Sequence, residues 1–241
     1  MSIKGKNVLI TGAAVRVGKA MAFAVADAGA NPIIHYNFSA EQARSTQSEI
    51  QAKGVDAHLI QHDLNELEET PSLIEKAGEF GPIFALVNNA SAFQDLTLFD
   101  TDLPSWKQHL NVNLTAPFLL SQAFAKAVGE DQHGRIVNIL DWRALRPGAD
   151  HFPYTISKSG LAAMTKSMAI ALAPNITVNG IALGAILPSS EGGETEGILR
   201  DVPANRWADL DEVGKSLLFL LEGPAYITGE IIHLDGGRHL I

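Results

Sequence analysis

The chain alternates short, almost wholly apolar runs with longer stretches in which apolar residues return every three or four positions. The apolar runs are Asn7 to Thr11, Pro32 to Tyr36, Ala57 to Gln61, Ile83 to Val87, Arg135 to Leu140, Ile176 to Ile181 and Glu230 to Leu234. Near-continuous apolarity is what strands covered on both faces require, so these are predicted to be buried strands. The longer stretches predict helices over Val17 to Ala28, Ala40 to Lys53, Pro71 to Gly78, Leu114 to Val128, Pro153 to Leu172 and Leu210 to Leu221. Ser39-Ala40-Glu41-Gln42 reads as a capping box, and Thr70-Pro71 places a proline at a helix's first position. Regular alternation predicts an α/β fold: a doubly wound parallel sheet of about seven strands, joined by right-handed crossovers and flanked by helices in three layers. With no linker or internal repeat, residues 1–241 read as one domain. The glycine- and glutamate-rich segment Pro188 to Pro203 breaks the rhythm and reads as a lid or binding loop.

Open parallel sheets bind ligands beyond the carboxyl ends of their strands. The polar residues that follow the strands fit that rule: Thr11-Gly12, His35 to Ser39, Asp63, Asn88 to Ser91 and Asp141. The first strand runs into Thr11-Gly12-Ala13-Ala14-Val15-Arg16-Val17-Gly18. Gly12 allows a tight turn, Gly18 allows the next helix to pack closely, and that helix's amino terminus suits a pyrophosphate. The second strand, ending in His35-Tyr36-Asn37-Phe38-Ser39, lacks the acid that grips a ribose 2′-hydroxyl in NAD sites. Arg16, inside the phosphate loop, suits a 2′-phosphate together with Ser39, or is simply a solvated loop residue. Asp63 either reaches an adenine amino group or caps a turn. NADP(H) is therefore the expected cofactor.

Composition narrows the class. A formal charge of −9 gives no basic stripe for nucleic acid, and the absence of cysteine removes disulfides, thiolate metal sites and cysteine nucleophiles. No metal is expected. No apolar run reaches membrane-spanning length, and Met1 to Lys6 leads directly into the first strand, without a signal peptide. The expectation is a cytoplasmic protein with no membrane or nucleic-acid partner.

The segment Tyr154-Thr155-Ile156-Ser157-Lys158 carries the candidate chemistry. Spacing of four places the phenol and the ammonium on one helical face, where the ammonium is expected to lower the phenol's pKa. Pro117, four residues after Asn113, has no N–H to bond the Asn113 carbonyl. That leaves the carbonyl for a water-mediated relay to Lys158, or Pro117 simply opens a helix.

Thr11-Gly12…Gly18, Asn88-Asn89-Ala90, Asn113, Tyr154…Lys158, Ile227-Thr228-Gly229 and Leu234-Asp235-Gly236-Gly237 together resemble the short-chain dehydrogenase/reductase family over essentially the whole chain. The resemblance implies a Rossmann-like fold, commonly tetrameric, with Asn113, Tyr154 and Lys158 catalytic. The family's catalytic serine is replaced by Asp141, and the loop glycine expected two residues before Gly18 is Arg16. With His35-Tyr36…Ser39-Ala40, Asn89-Ala90-Ser91-Ala92-Phe93 and the terminal Leu234 to Leu240, these features resemble the pteridine reductase branch, including bacterial dihydromonapterin reductases. Phe38 departs from the arginine often found there, and Leu183-Gly184 replaces the general Pro-Gly.

The resemblance implies a homotetramer that reduces a pterin or dihydropterin with NADPH. It draws the cofactor site from Gly12, Arg16, Val17, Gly18, His35, Tyr36, Asn37, Ser39, Asp63, Leu64, Asn89, Ala90, Ser91, Tyr154, Lys158, Gly184 and Ile186. The substrate site is Arg16, Ser91, Phe93, Asp141, Tyr154 and Leu187, and Asp141 joins the catalytic set. A carboxylate suits an N–H-rich ring and not a developing alkoxide, and it favours the neutral phenol. The alternative for Asp141 is a cap or a salt bridge with Arg143 or Arg146. Phe93 either stacks on a flat ring or packs in the core. Two other readings stand beside it: a carbonyl or 3-oxoacyl thioester reductase, which Asp141 disfavours, and a non-catalytic NADP-binding regulator, which need not keep Asn113, Tyr154 and Lys158 together.

Overall fold

A computed structural model describes residues 2–129, 132–188 and 197–241. Seven parallel strands form one sheet: β1 (Asn7–Ile10), β2 (Asn31–Tyr36), β3 (His58–Gln61), β4 (Ile83–Asn88), β5 (Gly134–Asp141), β6 (Ile176–Leu183) and β7 (Ile231–Leu234), in the order β3-β2-β1-β4-β5-β6-β7. The α/β, doubly wound expectation holds. The chain runs outward from β1 to β3, returns to place β4 beside β1, then runs outward the other way. A crevice therefore opens beyond the carboxyl ends of β1 and β4.

Alternation along each strand divides the core. Val8, Ile10, Ile34, Val87 and Val137 pack on one face, against α1 (Arg16–Asp27), α2 (Ala40–Gln51) and α7 (Leu210–Glu222). Leu9, Ile33, Leu86 and Ile136 pack on the other, against α3 (Ser72–Gly78), α5 (Ala116–Val128) and α6 (Phe152–Leu172). Helices α1 and α7 cross closely because position 214 is glycine: a Cβ there would sit 2.7 Å from the Ala24 methyl. No helix among the described residues is long and apolar enough to cross a membrane.

Several local expectations are corrected. The helix predicted from Leu114 begins eleven residues earlier, with α4 (Leu103–Leu110), and passes through a π-helical turn, Asn111–Thr115, into α5. Asp102 caps α4 by accepting from the Ser105 N–H at 2.8 Å. Pro117 lies just inside α5, and the missing donor there accompanies the wider turn, in which the Ala116 N–H reaches back to the Asn111 carbonyl. Ser39 makes no side-chain cap, so the expected capping box is absent from α2; one is formed instead by Asp209 and Glu212 at α7. Pro71 directly precedes α3 and is not its first residue. Of the predicted lid, residues 189–196 lie outside the described residues; Ile198–Asp201 forms a 3₁₀ turn.

Candidate active site

The glycine-rich turn is held by neutral groups packed behind it. Gly12 adopts φ 63°, and a Cβ there would press on Ala90. A Cβ on Gly18 would strike the Gly12 carbonyl and lie 2.7 Å from Asn89 Nδ2, so close packing does require glycine. Asn89 Nδ2 donates to the carbonyls of Thr11 (2.8 Å) and Gly12 (3.1 Å), while the N–H groups of Asn89 and Ala90 donate to Thr11 Oγ1. Thr11 is thus a site residue that sequence reasoning undervalued; its position at a strand's carboxyl end was the available signal.

His35, expected to touch the cofactor, works from behind. Its Nδ1 accepts from the Gly12 N–H at 3.1 Å, and its Nε2 donates to the His62 carbonyl at 3.1 Å. Burial lowers its pKa to about 4, so it is neutral at pH 7. Both ring nitrogens are committed to protein and the residue is 2% exposed, which makes His35 a brace for the turn. Tyr36 and Leu64 are likewise buried, and Val17 packs against the core. Asp63 accepts from the Asn65 N–H at 2.9 Å, which is the turn-capping alternative.

Arg16 adopts the left-handed conformation that favours glycine, φ 53°. Its side chain donates to the Pro188 carbonyl at 2.6 Å, tying the phosphate loop to the start of the predicted lid. The residues present fit a dinucleotide. Gly12 and Gly18 let the turn and the start of α1 pack closely, the first turn of α1 carries no acid, and Val15 leaves it without a side-chain cap. Asn37 and the uncapped Ser39 follow β2, beside a Phe38 that is almost fully exposed. At the other end, Gly184 is forced by Asp235, whose Cα would meet its Cβ at 2.5 Å, while Ile186 is buried and Leu187 lies partly buried against the core.

Strand β5 runs one residue further than predicted and so ends on Asp141. The two oxygens of that carboxylate have separate partners. Oδ2 accepts from the Tyr154 hydroxyl at 3.1 Å; Oδ1 accepts from the Arg143 N–H at 2.8 Å and lies 3.7 Å from the Arg143 guanidinium. Asp141 therefore caps the turn and lies beside the Arg143 guanidinium while also accepting from the phenol. Burial pushes the Tyr154 phenol well above its usual range and Asp141 adds to the shift, so the phenol is held neutral. The expected lowering by Lys158 does not occur here: its Nζ donates to the Ile139 carbonyl at 2.8 Å and lies 5.8 Å from the phenol ring centre. Burial instead lowers the Lys158 ammonium to about 8, with Asp141 acting in the other direction.

Asn113 is fully buried on the π-helical turn. Its side chain accepts from the Ala92 N–H (2.7 Å) and Ser91 Oγ (3.2 Å), and donates to the Ala92 carbonyl and Ser157 Oγ (each 2.9 Å). It therefore clamps the turn after β4 to α6. Phe93, just beyond, is not core: it is 42% exposed, meets the Tyr154 ring edge-on at 4.8 Å and stacks on His151 at 4.4 Å. His151 and Asp150 were missed, since each reaches the site through loop geometry that no periodicity encodes; Arg143 was expected only as a salt-bridge partner of Asp141.

Residues 6–196 match the family described as short chain dehydrogenase. The chain belongs to that family. Among curated relatives of this short chain dehydrogenase is the 3-oxoacyl-[acyl-carrier-protein] reductase of Synechocystis sp., 34% identical over 95% of each chain. Among solved structures, FolM alternative dihydrofolate reductase 1 from Brucella canis, complexed with NADP, superposes with a TM-score of 0.93 at 37% identity, covering 100% of this chain and 96% of that one. A short chain dehydrogenase from Burkholderia cenocepacia in complex with NADP gives 0.92 at 32% identity, covering 99% of each chain.

Proposed function

We propose that this short chain dehydrogenase uses NADPH to reduce a pterin or dihydropterin to the tetrahydro form. The observation that carries the reading is the 3.1 Å contact from Tyr154 to Asp141, at the position where a ketone-reducing site needs a hydroxyl donor. An ionised carboxylate repels a developing alkoxide and accepts from a ring N–H. Bound NADPH would supply a hydride from its nicotinamide C4 to the carbon of a ring C=N bond. Tyr154 then gives its phenolic proton to the nitrogen of that bond and regains one from solvent, so each NADPH adds one C–H and one N–H: one round for a dihydropterin, two for a fully oxidised pterin. Lys158 and Asn113 hold the surrounding frame, Phe93 offers a half-exposed ring to a flat substrate, and Ser91 and Arg16 flank its polar edge. Arg16 and Ser39 are the groups assigned to the cofactor's 2′-phosphate. The NADP complexes of the Brucella and Burkholderia proteins support the cofactor, and the name of the former supports the substrate class.

A second reading, reduction of a 3-oxoacyl thioester, is favoured by the Synechocystis relative. One assay separates them: NADPH oxidation followed spectroscopically with dihydromonapterin, dihydrobiopterin, dihydrofolate, a 3-oxoacyl thioester and a simple ketone side by side, with NADH in parallel. Turnover of dihydropterins is expected; turnover confined to the thioester or ketone reverses the ranking.

A further inference from the structure

The Asp141 carboxylate faces the phenol with only one of its oxygens, although a terminal carboxyl torsion is soft and free to rotate. Something must stop it turning, and the 3₁₀ turn that follows β5, Trp142–Ala144, carries the stop. The Arg143 backbone N–H holds Oδ1 at 2.8 Å, a contact any residue at 143 can make, and the guanidinium approaches the same oxygen at 3.7 Å. The guanidinium is itself fixed: Nε and Nη2 donate to Asp150 Oδ2 at 3.0 and 2.6 Å, and the group lies 4.8 Å from the centre of the Trp142 ring. Its side chain is 15% exposed. Burial works against the charge on Arg143, and the carboxylates of Asp150 and Asp141 outweigh it.

We propose that the Arg143 side chain is a positioning group for proton transfer: anchored on Asp150, its guanidinium sets a charge beside the Asp141 oxygen that the backbone N–H already holds, so that the other oxygen stays on the Tyr154 hydroxyl. This rests on the roles given above to Asp141 and Tyr154. The other charged or titratable groups facing this cluster are His151 beside Asp150 (3.9 Å), Lys158 on α6, and Arg238 of the carboxyl-terminal turn, 4.5 Å from the Trp142 ring with Asp201 near it. Among the described residues, none of them forms an ion pair with Asp141. Arg143 alone touches both the catalytic carboxylate and a second, fixed anchor.

The test measures kcat and KM for dihydropterin reduction with saturating NADPH in Arg143→Met, Arg143→Lys, Asp141→Asn and the Arg143→Met/Asp141→Asn double variant, with thermal unfolding recorded for each. Arg143→Met is expected to lower kcat by about tenfold or more with little change in KM, as loss of an aligned proton donor should. Lysine should recover part of it. The double variant should be no slower than Asp141→Asn alone, because the arginine acts through that carboxylate. Should Arg143→Met fail to fold, Asp150→Asn frees the guanidinium's far end and should show the same non-additivity. A crippled Asp141→Asn enzyme paired with an Arg143→Met variant that is fully active, slowed additively, or altered only in KM overturns the Arg143 assignment alone. Wild-type turnover in Asp141→Asn overturns the reaction proposed above, and this assignment with it.

Discussion

The two ends of the crevice are built from different materials. At the nucleotide end, the glycine-rich turn is held by neutral donors and acceptors: His35 beneath Gly12, Thr11 and Asn89 across β1 and β4. At the chemical end, Asp141 is held by Arg143 and Arg143 by Asp150, with Tyr154 and Lys158 buried alongside. A group that only has to present backbone N–H donors to an anion gains nothing from titrating. A group that has to lend and recover a proton must sit among charges that set its pKa. The contrast predicts that the two ends can be broken separately and respond differently to pH.

The largest effect is expected from Tyr154→Phe, which deletes the proposed proton donor and leaves the nucleotide end intact. Turnover should fall by about 10²–10⁴-fold with NADPH affinity unchanged, measured by steady-state kinetics and by fluorescence titration of the cofactor. A matching loss of cofactor affinity would show that the ends are not independent.

Next comes His35, held neutral with a pKa of about 4 against an ordinary value of 6.5. The unfolded chain binds the extra proton first, so the stability this residue contributes is complete above pH 6.5 and is lost as pH falls toward 4. The window is worth up to about 3 kcal/mol, and denaturant titrations of His35→Gln should show a flatter profile across it.

Lys158 brings a smaller change of opposite sense. Its ammonium, lowered to about 8, is lost as pH rises, so turnover should decline through that value, by about tenfold per unit beyond it. The alkaline limb should belong to the lysine and not to the tyrosine, and Lys158→Met should lack it.

The smallest effect is expected for Phe93→Ala. Losing the ring should raise KM for a flat substrate by up to about tenfold, in line with about 0.5–1.5 kcal/mol for a stacked pair, and leave kcat nearly intact. An equal loss with an aliphatic 3-oxoacyl thioester would argue against ring stacking.

Legibility in the sequence follows the same divide. The strands were readable because a strand buried on both faces needs a continuous apolar run, and the glycines were readable because Gly12 and Gly18 answer to sterics within a few residues. Tyr154 and Lys158 were readable from helical spacing. Asp141 was readable as an odd residue at a strand end, though the division of labour between its oxygens was not. Arg143 joins Asp150 only because the loop between them folds back, and Phe93 meets His151, far along the sequence, only in the folded chain. Helix α4 was missed although Asp102 and Pro104 mark its start, because its residues lack a clean apolar stripe: only His109 is buried. His35 was placed correctly and given the wrong task, since a polar residue at a strand end can point inward as well as outward.

Because Asp141 serves two masters, retargeting the enzyme is a two-step problem. A serine placed at 141 would restore a donor for carbonyl substrates, yet it brings a single oxygen to a place where one must reach the phenol and another must finish the turn at Arg143. The exchange by itself should leave the guanidinium leaning on Asp150 alone and the new hydroxyl poorly aimed. Crossing from the proposed ring-nitrogen chemistry to ketone chemistry on this scaffold therefore calls for a compensating change within Trp142–Ala144, made together with the first.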